Sequence, residues 1–193
     1  SRLGREIPPE VAAVASEPHT TLHRVATLGD DALTHAVADA LRDAEVTAVA
    51  SASPTPGAED FLKAAHDSGR PVTIVSNNAI EAIDAYLGAH NLGRYVRGIS
   101  ARFDGMDPRR LKPHPYLLDR VISSASIRPD RFLILGDSTS DITAGRAASV
   151  PTIGFANKAG KAERFAAAGA HAVTESMAVL ADAVRDVPAG RTL

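Results

Sequence analysis

The sequence predicts an α/β fold: a parallel sheet with helices on both faces, joined to a small all-helical subdomain. Three observations predict it. Short apolar runs such as Phe132-Leu-Ile-Leu135 end in small polar clusters, as strands buried on both faces do. Downstream of Ser53-Pro-Thr-Pro-Gly57, such runs alternate with stretches of helical periodicity, the pattern of parallel strands joined by crossover helices. Upstream of it, the patterning is helical throughout.

In order, Pro8-Pro9 opens a helix to about Ser16, because proline is tolerated in a first turn. Pro18–Leu28 and Asp30 to about Ala52 carry apolar residues at helical spacing, as at Leu33, Val37, Leu41 and Val46. Asp30-Asp31 is placed at a helix N-cap. The proline- and glycine-punctuated hinge then divides the chain into a helical part, 1–53, and an α/β part, 54–193. In the second part, Glu59–Ser68 reads as an amphipathic helix ended by Gly69. Pro71–Val75 reads as a buried strand, Ile80–His90 as a helix and Tyr95–Ser100 as a weaker strand. Pro113–Ala125 follows as a helix, then the strand Phe132–Leu135 and the helix Ile142–Ala148. Thr152–Phe155 is the last strand, followed by helices at about Lys161–Ala168 and Met177–Val184.

Composition narrows the function. At 193 residues, 45% hydrophobic and 23% charged, the chain has the make-up of a soluble domain with one ordinary core. A net charge of −2 gives no electrostatic reason to expect nucleic acid or an anionic membrane as partner. With no cysteine, disulfides, thiol catalysis and thiolate metal sites are excluded, which suits a cytoplasmic protein. No apolar run approaches the roughly 20 residues needed to span a bilayer.

Three places carry the chemistry. The strand 132–135 and Gly136 deliver Asp137 and Asp141 to its carboxyl end, where open α/β sheets bind ligands. Two carboxylates there call for a cation between them, and a hard divalent ion such as Mg²⁺ fits best. Ser76 and Asn77 follow the strand 71–75 and open toward a helix N-terminus, an arrangement that suits a phosphate oxygen. Lys112, before Pro113, supplies a fixed positive charge.

In this order the motifs resemble the haloacid dehalogenase-like hydrolase superfamily, over about residues 54–184. Val-Ser-Asn at 75–77 resembles its second motif, Leu-Lys-Pro at 111–113 its third, and Gly-Asp-Ser-Thr-Ser-Asp at 136–141 its fourth. Pro-Thr-Pro-Gly-Ala at 54–58 and Ala-Gly-Arg-Ala-Ala at 144–148 are similar to its phosphoglucomutase/phosphatase-like branch. The resemblance implies a Rossmann-like core under a helical cap, residues 1–53. It implies that Ser76 holds the transferring phosphoryl group and that Lys112 neutralises nucleophile and phosphate. Asp137 would bind Mg²⁺ and Asp141 support it. The family's first motif, an apolar strand ending in Asp-x-Asp with the nucleophile and the general acid/base, is absent; that strand would be central. The expectation adopted is that a preceding segment carries it, since the chain starts abruptly at Ser1; a strand from a partner or swapped segment, or a degenerate fold, are the alternatives.

The function expected is Mg²⁺-dependent phosphatase activity on a small phosphomonoester, with little or no turnover by this polypeptide because the nucleophile is missing. An inactive fold relative that binds a phosphorylated ligand or a protein, and a sugar-phosphate mutase, are the rival readings. A monomer or homodimer is expected. Among smaller features, His19 and His23 are spaced for a metal but lack a third ligand, so a surface or cap-interface role is assigned. His114, Arg109-Arg110 and Asn157-Lys158 are candidates to line the pocket mouth.

Overall fold

The computed structural model describes residues 9–187. The N-terminal part is helical: α1 (Pro9–Ala12), α2 (Pro18–Thr27) and α3 (Asp31–Val49). The helix start expected at Pro8 lies outside the described residues, and α1 itself is a single turn. Asp30 is the N-cap of α3, its carboxylate accepting the Leu33 N–H at 2.9 Å. Leu22 of α2 is fully buried and clusters with Met106, Leu111 and Leu117. Val37, Ala38 and Leu41 of α3 pack half-buried on the same cluster. The apolar stripes of these helices therefore cover the sheet region as well as each other.

Strands and helices then alternate: α4 (Ala58–Asp67), β1 (Val72–Ala79), α5 (Ile80–Ala89), β2 (Val96–Arg102), α6 (Tyr116–Ala125), β3 (Ile134–Gly136), α7 (Thr139–Ala147), β4 (Thr152–Phe155), α8 (Lys161–Ala167), β5 (Ala172–Thr174) and α9 (Met177–Asp186). Every ladder is parallel, pairing Ile74 with Ile99, Leu135 with Ile153 and Gly154 with Val173. The α/β class with a helical N-terminal part is thus observed. The strands form two sheets, β1-β2 and β3-β4-β5, and among the described residues no ladder joins β1 to β3.

That break corrects the expectation of strands buried on both faces. Val72–Val75 of β1 and Ile134–Gly136 of β3 are only half-buried. Both β1 and β3 are edge strands of their own sheets, and an edge keeps one side uncovered. Several boundaries also move, and one strand is unexpected. Strand β3 is three residues long, because Phe132 and Leu133 sit beyond a 3-10 turn, Pro129–Arg131, rather than in the ladder. Helix α6 starts at Tyr116 and not Pro113, since His114 precedes Pro115 and is pushed out of the helical region. Strand β5 has no apolar run to announce it: Ala172 and Val173 are exposed.

The helical layers hold the two sheets together. Leu118 and Ile122 of α6 pack with Ala144, Ala148 and Val150, and in the same cluster lie Val75 of β1 and Ile134 of β3. Elsewhere, α4 and α9 pack side by side: Arg70 donates to Val184 O (3.1 Å) and to Val187 O, and Arg185 pairs with Asp60. A third cluster, Ile142, Ala156 and Phe165, sits under β4, where a side chain on Gly154 would come within 2.5 Å of the Phe165 ring.

If α2 is part of the common core, Leu22→Ala should cost about 2–5 kcal/mol in urea unfolding while the protein still unfolds in one transition. A separate early helical transition would show that α2 and α3 fold apart from the sheets.

Candidate functional site

The site is built at the carboxyl ends of β1 and β3. Past Val75, β1 leaves its regular pairing: Val75 faces Ser100 and Ala79 faces Arg102, so Ser76, Asn77 and Asn78 lie opposite Ala101 alone. Such a bulge re-aims side chains out of the ladder. In it, the Ser76 hydroxyl accepts the Asn78 N–H at 3.1 Å. The Asn77 amide grips the next loop at two points, accepting the Lys112 N–H at 2.8 Å and donating to Lys112 O at 3.0 Å.

So held, Lys112 extends its ammonium between Val75 O and Asp141 Oδ1, each at 2.7 Å. Both charged side chains are 11% exposed. The second Asp141 oxygen accepts the Ser138 N–H at 3.0 Å, closing the capping box that starts α7. Gly136 makes this possible, because a Cβ there would stand 2.2 Å from Asp141 Cβ. Asp137 is different: its side chain is 59% exposed. Lys161, from the first turn of α8, donates to Asp137 O at 2.6 Å and to Oδ2 at 3.1 Å, and Asn157 approaches at 3.4 Å.

The geometry thus joins Asn77, Lys112 and Asp141 into one hydrogen-bonded unit beside Ser76, with Asp137 at the neighbouring strand end. Two carboxylates and two ammoniums balance. Mg²⁺ demands about six oxygens in a near-octahedral shell. Here Asp141 is committed to Lys112 and Ser138, Asp137 to Lys161, and no group of three or more His, Asp or Glu that could hold a metal exists among the described residues. By themselves these residues do not fit a Mg²⁺ site.

Sequence reasoning missed Lys161, Glu45 and Arg102. Glu45, on α3, accepts from Arg102 Nη2 (2.6 Å) and the Ala79 N–H (2.7 Å) and meets His19 Nε2 at 3.1 Å. Burial pushes the Glu45 carboxyl up, but His19, the Ala79 amide and the Arg102 charge outweigh it and hold it below the ordinary glutamate range. No local pattern marks this contact, since its partners are 26 to 57 residues apart. His19 is the cap-interface histidine of the two; His23 is exposed. Arg109 pairs with Asp107, Arg110 lies over the Tyr116 ring, and His114 accepts the Tyr116 N–H, so these residues shape the loop that carries Lys112. Lys158 is exposed.

Residues 8–149 match the family model described as haloacid dehalogenase-like hydrolase. The chain belongs to that family. Over 100 residues it is 33% identical to the phosphoglycolate phosphatase of Escherichia coli K12, a match covering 52% of this chain and 38% of that protein. The chain therefore spans about two-fifths of the curated relatives it matches. Among solved structures it resembles a haloacid dehalogenase family hydrolase from Deinococcus radiodurans with bound phosphate and sodium (TM-score 0.62, 27% identity, 74% of this chain and 66% of that one). It also shares the fold of a beta-phosphoglucomutase-like protein from Thermotoga maritima (TM-score 0.61, 18% identity, 69% and 60%).

Gly136→Ala should break the Asp141 contacts and destabilise the fold by about 3–5 kcal/mol, the cost of disrupting a buried ion pair, with α7 amides near Ser138 exchanging faster; an unchanged unfolding curve would contradict the close approach. Glu45 supplies stability that is complete above the ordinary glutamate pKa and is lost as pH falls through its lowered folded value. The stability gap between the wild type and Glu45→Gln should therefore be widest near neutral pH and narrow below about pH 4.3. A gap independent of pH would show that the charge contributes nothing.

Proposed function

We propose that this chain provides the phosphate-binding and charge-neutralising part of a phosphatase acting on a small phosphomonoester. The observation that carries the reading is the Lys112 ammonium, fixed between Val75 O and Asp141 next to the Ser76–Asn77 bulge. In this reading the Ser76 hydroxyl and neighbouring N–H groups take phosphoryl oxygens, and Lys112 neutralises their charge. Asp137 and Asp141 are the carboxylates toward which Mg²⁺ would be drawn once further oxygens complete its shell. Residues 1–53 act as the cap and 54–193 as the core. Similarity to phosphoglycolate phosphatases and to a phosphate-bound relative supports a small phosphorylated metabolite as ligand. Among the described residues no helix is long and apolar enough to cross a membrane, in keeping with a cytoplasmic setting, and a monomer or homodimer suffices for the site.

The chain contains no Asp-x-Asp, so its other residues bind and orient without a family-type nucleophile. Turnover by this polypeptide is therefore negligible. The self-paired lysines and carboxylates favour a second reading, a binder of phosphorylated ligands without chemistry.

Inorganic phosphate should give saturable NMR shifts at Ser76–Asn78 and Lys112, and Lys112→Ala should weaken binding about tenfold, the loss of one charge-assisted hydrogen bond. Absence of saturable binding would sink the phosphate reading. An aryl phosphate should remain unhydrolysed with millimolar Mg²⁺; Mg²⁺-dependent hydrolysis that Asp137→Asn abolishes would overturn the claim of negligible turnover.

A further inference from the structure

The bulge that presents Ser76 and Asn77 is held at its middle and at its far end by a buried pair, Arg102 of β2 and Glu45 of α3. At the end of β2, Arg102 is 6% exposed and donates through Nε to Asn77 O (3.2 Å), through Nη1 to Ala38 O (3.2 Å) and through Nη2 to Glu45 (2.6 Å). Glu45, 10% exposed, also accepts the N–H of Ala79, the residue at which pairing with β2 resumes. One carboxylate and one guanidinium therefore fix the carbonyl in the middle of the bulge and the amide at its end. Asn77 passes this on: its backbone is held by Arg102 and its side chain holds Lys112 at two points. The chain of bonds runs without a gap from α3 to Asp141.

We propose that Glu45 and Arg102 are positioning residues for the phosphate end of the site. Docking of α3 onto the strand ends sets the bulge, and through Asn77 it sets where the Lys112 ammonium stands. A pair that only joined two layers would need no bond to the bulge. Here each member makes one, and buried hydrogen-bonded charges hold geometry more strictly than apolar packing does. Being planar with five donors, the guanidinium reaches Asn77, Ala38 and Glu45 at once. The inference rests on the phosphate reading of Ser76 and Lys112, and the test separates the two.

The test uses Glu45→Gln, which keeps the shape and an oxygen for the Ala79 N–H but removes the negative charge that holds Arg102. A second variant, Glu45→Met with Arg102→Met, removes both charges so that none is left buried alone. Each is checked for folding by circular dichroism, titrated with inorganic phosphate, and followed by amide exchange at Lys112 and Ala79. Both variants should bind phosphate about tenfold more weakly, and the Lys112 amide should lose protection relative to core amides of β4. Unchanged phosphate affinity and unchanged Lys112 protection in either folded variant would overturn the proposal and leave the pair a structural strut. If the wild type binds no phosphate, the phosphate reading fails, and Lys112 protection alone decides: its loss in the variants supports positioning, its retention refutes it.

Discussion

The Lys112 ammonium is the point on which the architecture turns. It is nearly buried, and a buried ammonium is tolerated only when its donors are matched. Two of its three donors are engaged, by Val75 O of β1 and by Asp141 of α7. Those partners belong to different sheets' neighbourhoods, so one side chain ties the β1-β2 pair to the unit containing β3, β4 and β5. Asp141 can meet it only because Gly136 has no Cβ, and the same carboxylate caps α7. Lys112 itself is placed by Asn77, which Arg102 and Glu45 hold from the far side. Removing any member leaves a charge or an amide without its match in a dry place, which costs more than the bond itself was worth.

The divided sheet explains why so much depends on side chains. In a continuous parallel sheet, backbone ladders carry the link between neighbouring strands. Here the link from β1 to β3 runs through packing of α6 and α7 around Val75 and Ile134, through the contacts between α4 and α9, and through Lys112. Apolar residues that a central position would hide are correspondingly half-exposed on β1 and β3. A protein arranged this way puts its specificity in the helix layers and in a few charged contacts rather than in the sheet.

Much of this was legible in the sequence, for identifiable reasons. Helix caps, glycines after helices and short apolar runs are local signals, so α4, α8, β4 and the start of α3 were placed nearly to the residue. The site was legible because Ser76 and Asn77 follow the apolar run 72–75, Lys112 precedes a proline, and Asp137 and Asp141 flank the start of α7. Two kinds of feature were not legible. Strand β5 is short and largely exposed, and it is recognisable only by its pairing with β4. Glu45, Arg102 and Lys161 are single charged residues whose meaning depends on partners 24 or more residues away. Charged residues on helices are most often solvated, and only tertiary structure distinguishes the buried exception.

The charge balance at the strand ends constrains how any ligand enters. Asp137 pairs with Lys161 and Asp141 with Lys112, so the four groups sum to zero and satisfy one another. An anion arriving alone can take the third Lys112 donor but meets no net positive charge, and a cation arriving alone meets no net negative charge. Arriving together, they exchange two internal pairs for two external ones at little net electrostatic cost. Groups that already neutralise one another hold a single added ion less tightly than the same groups would if unpaired.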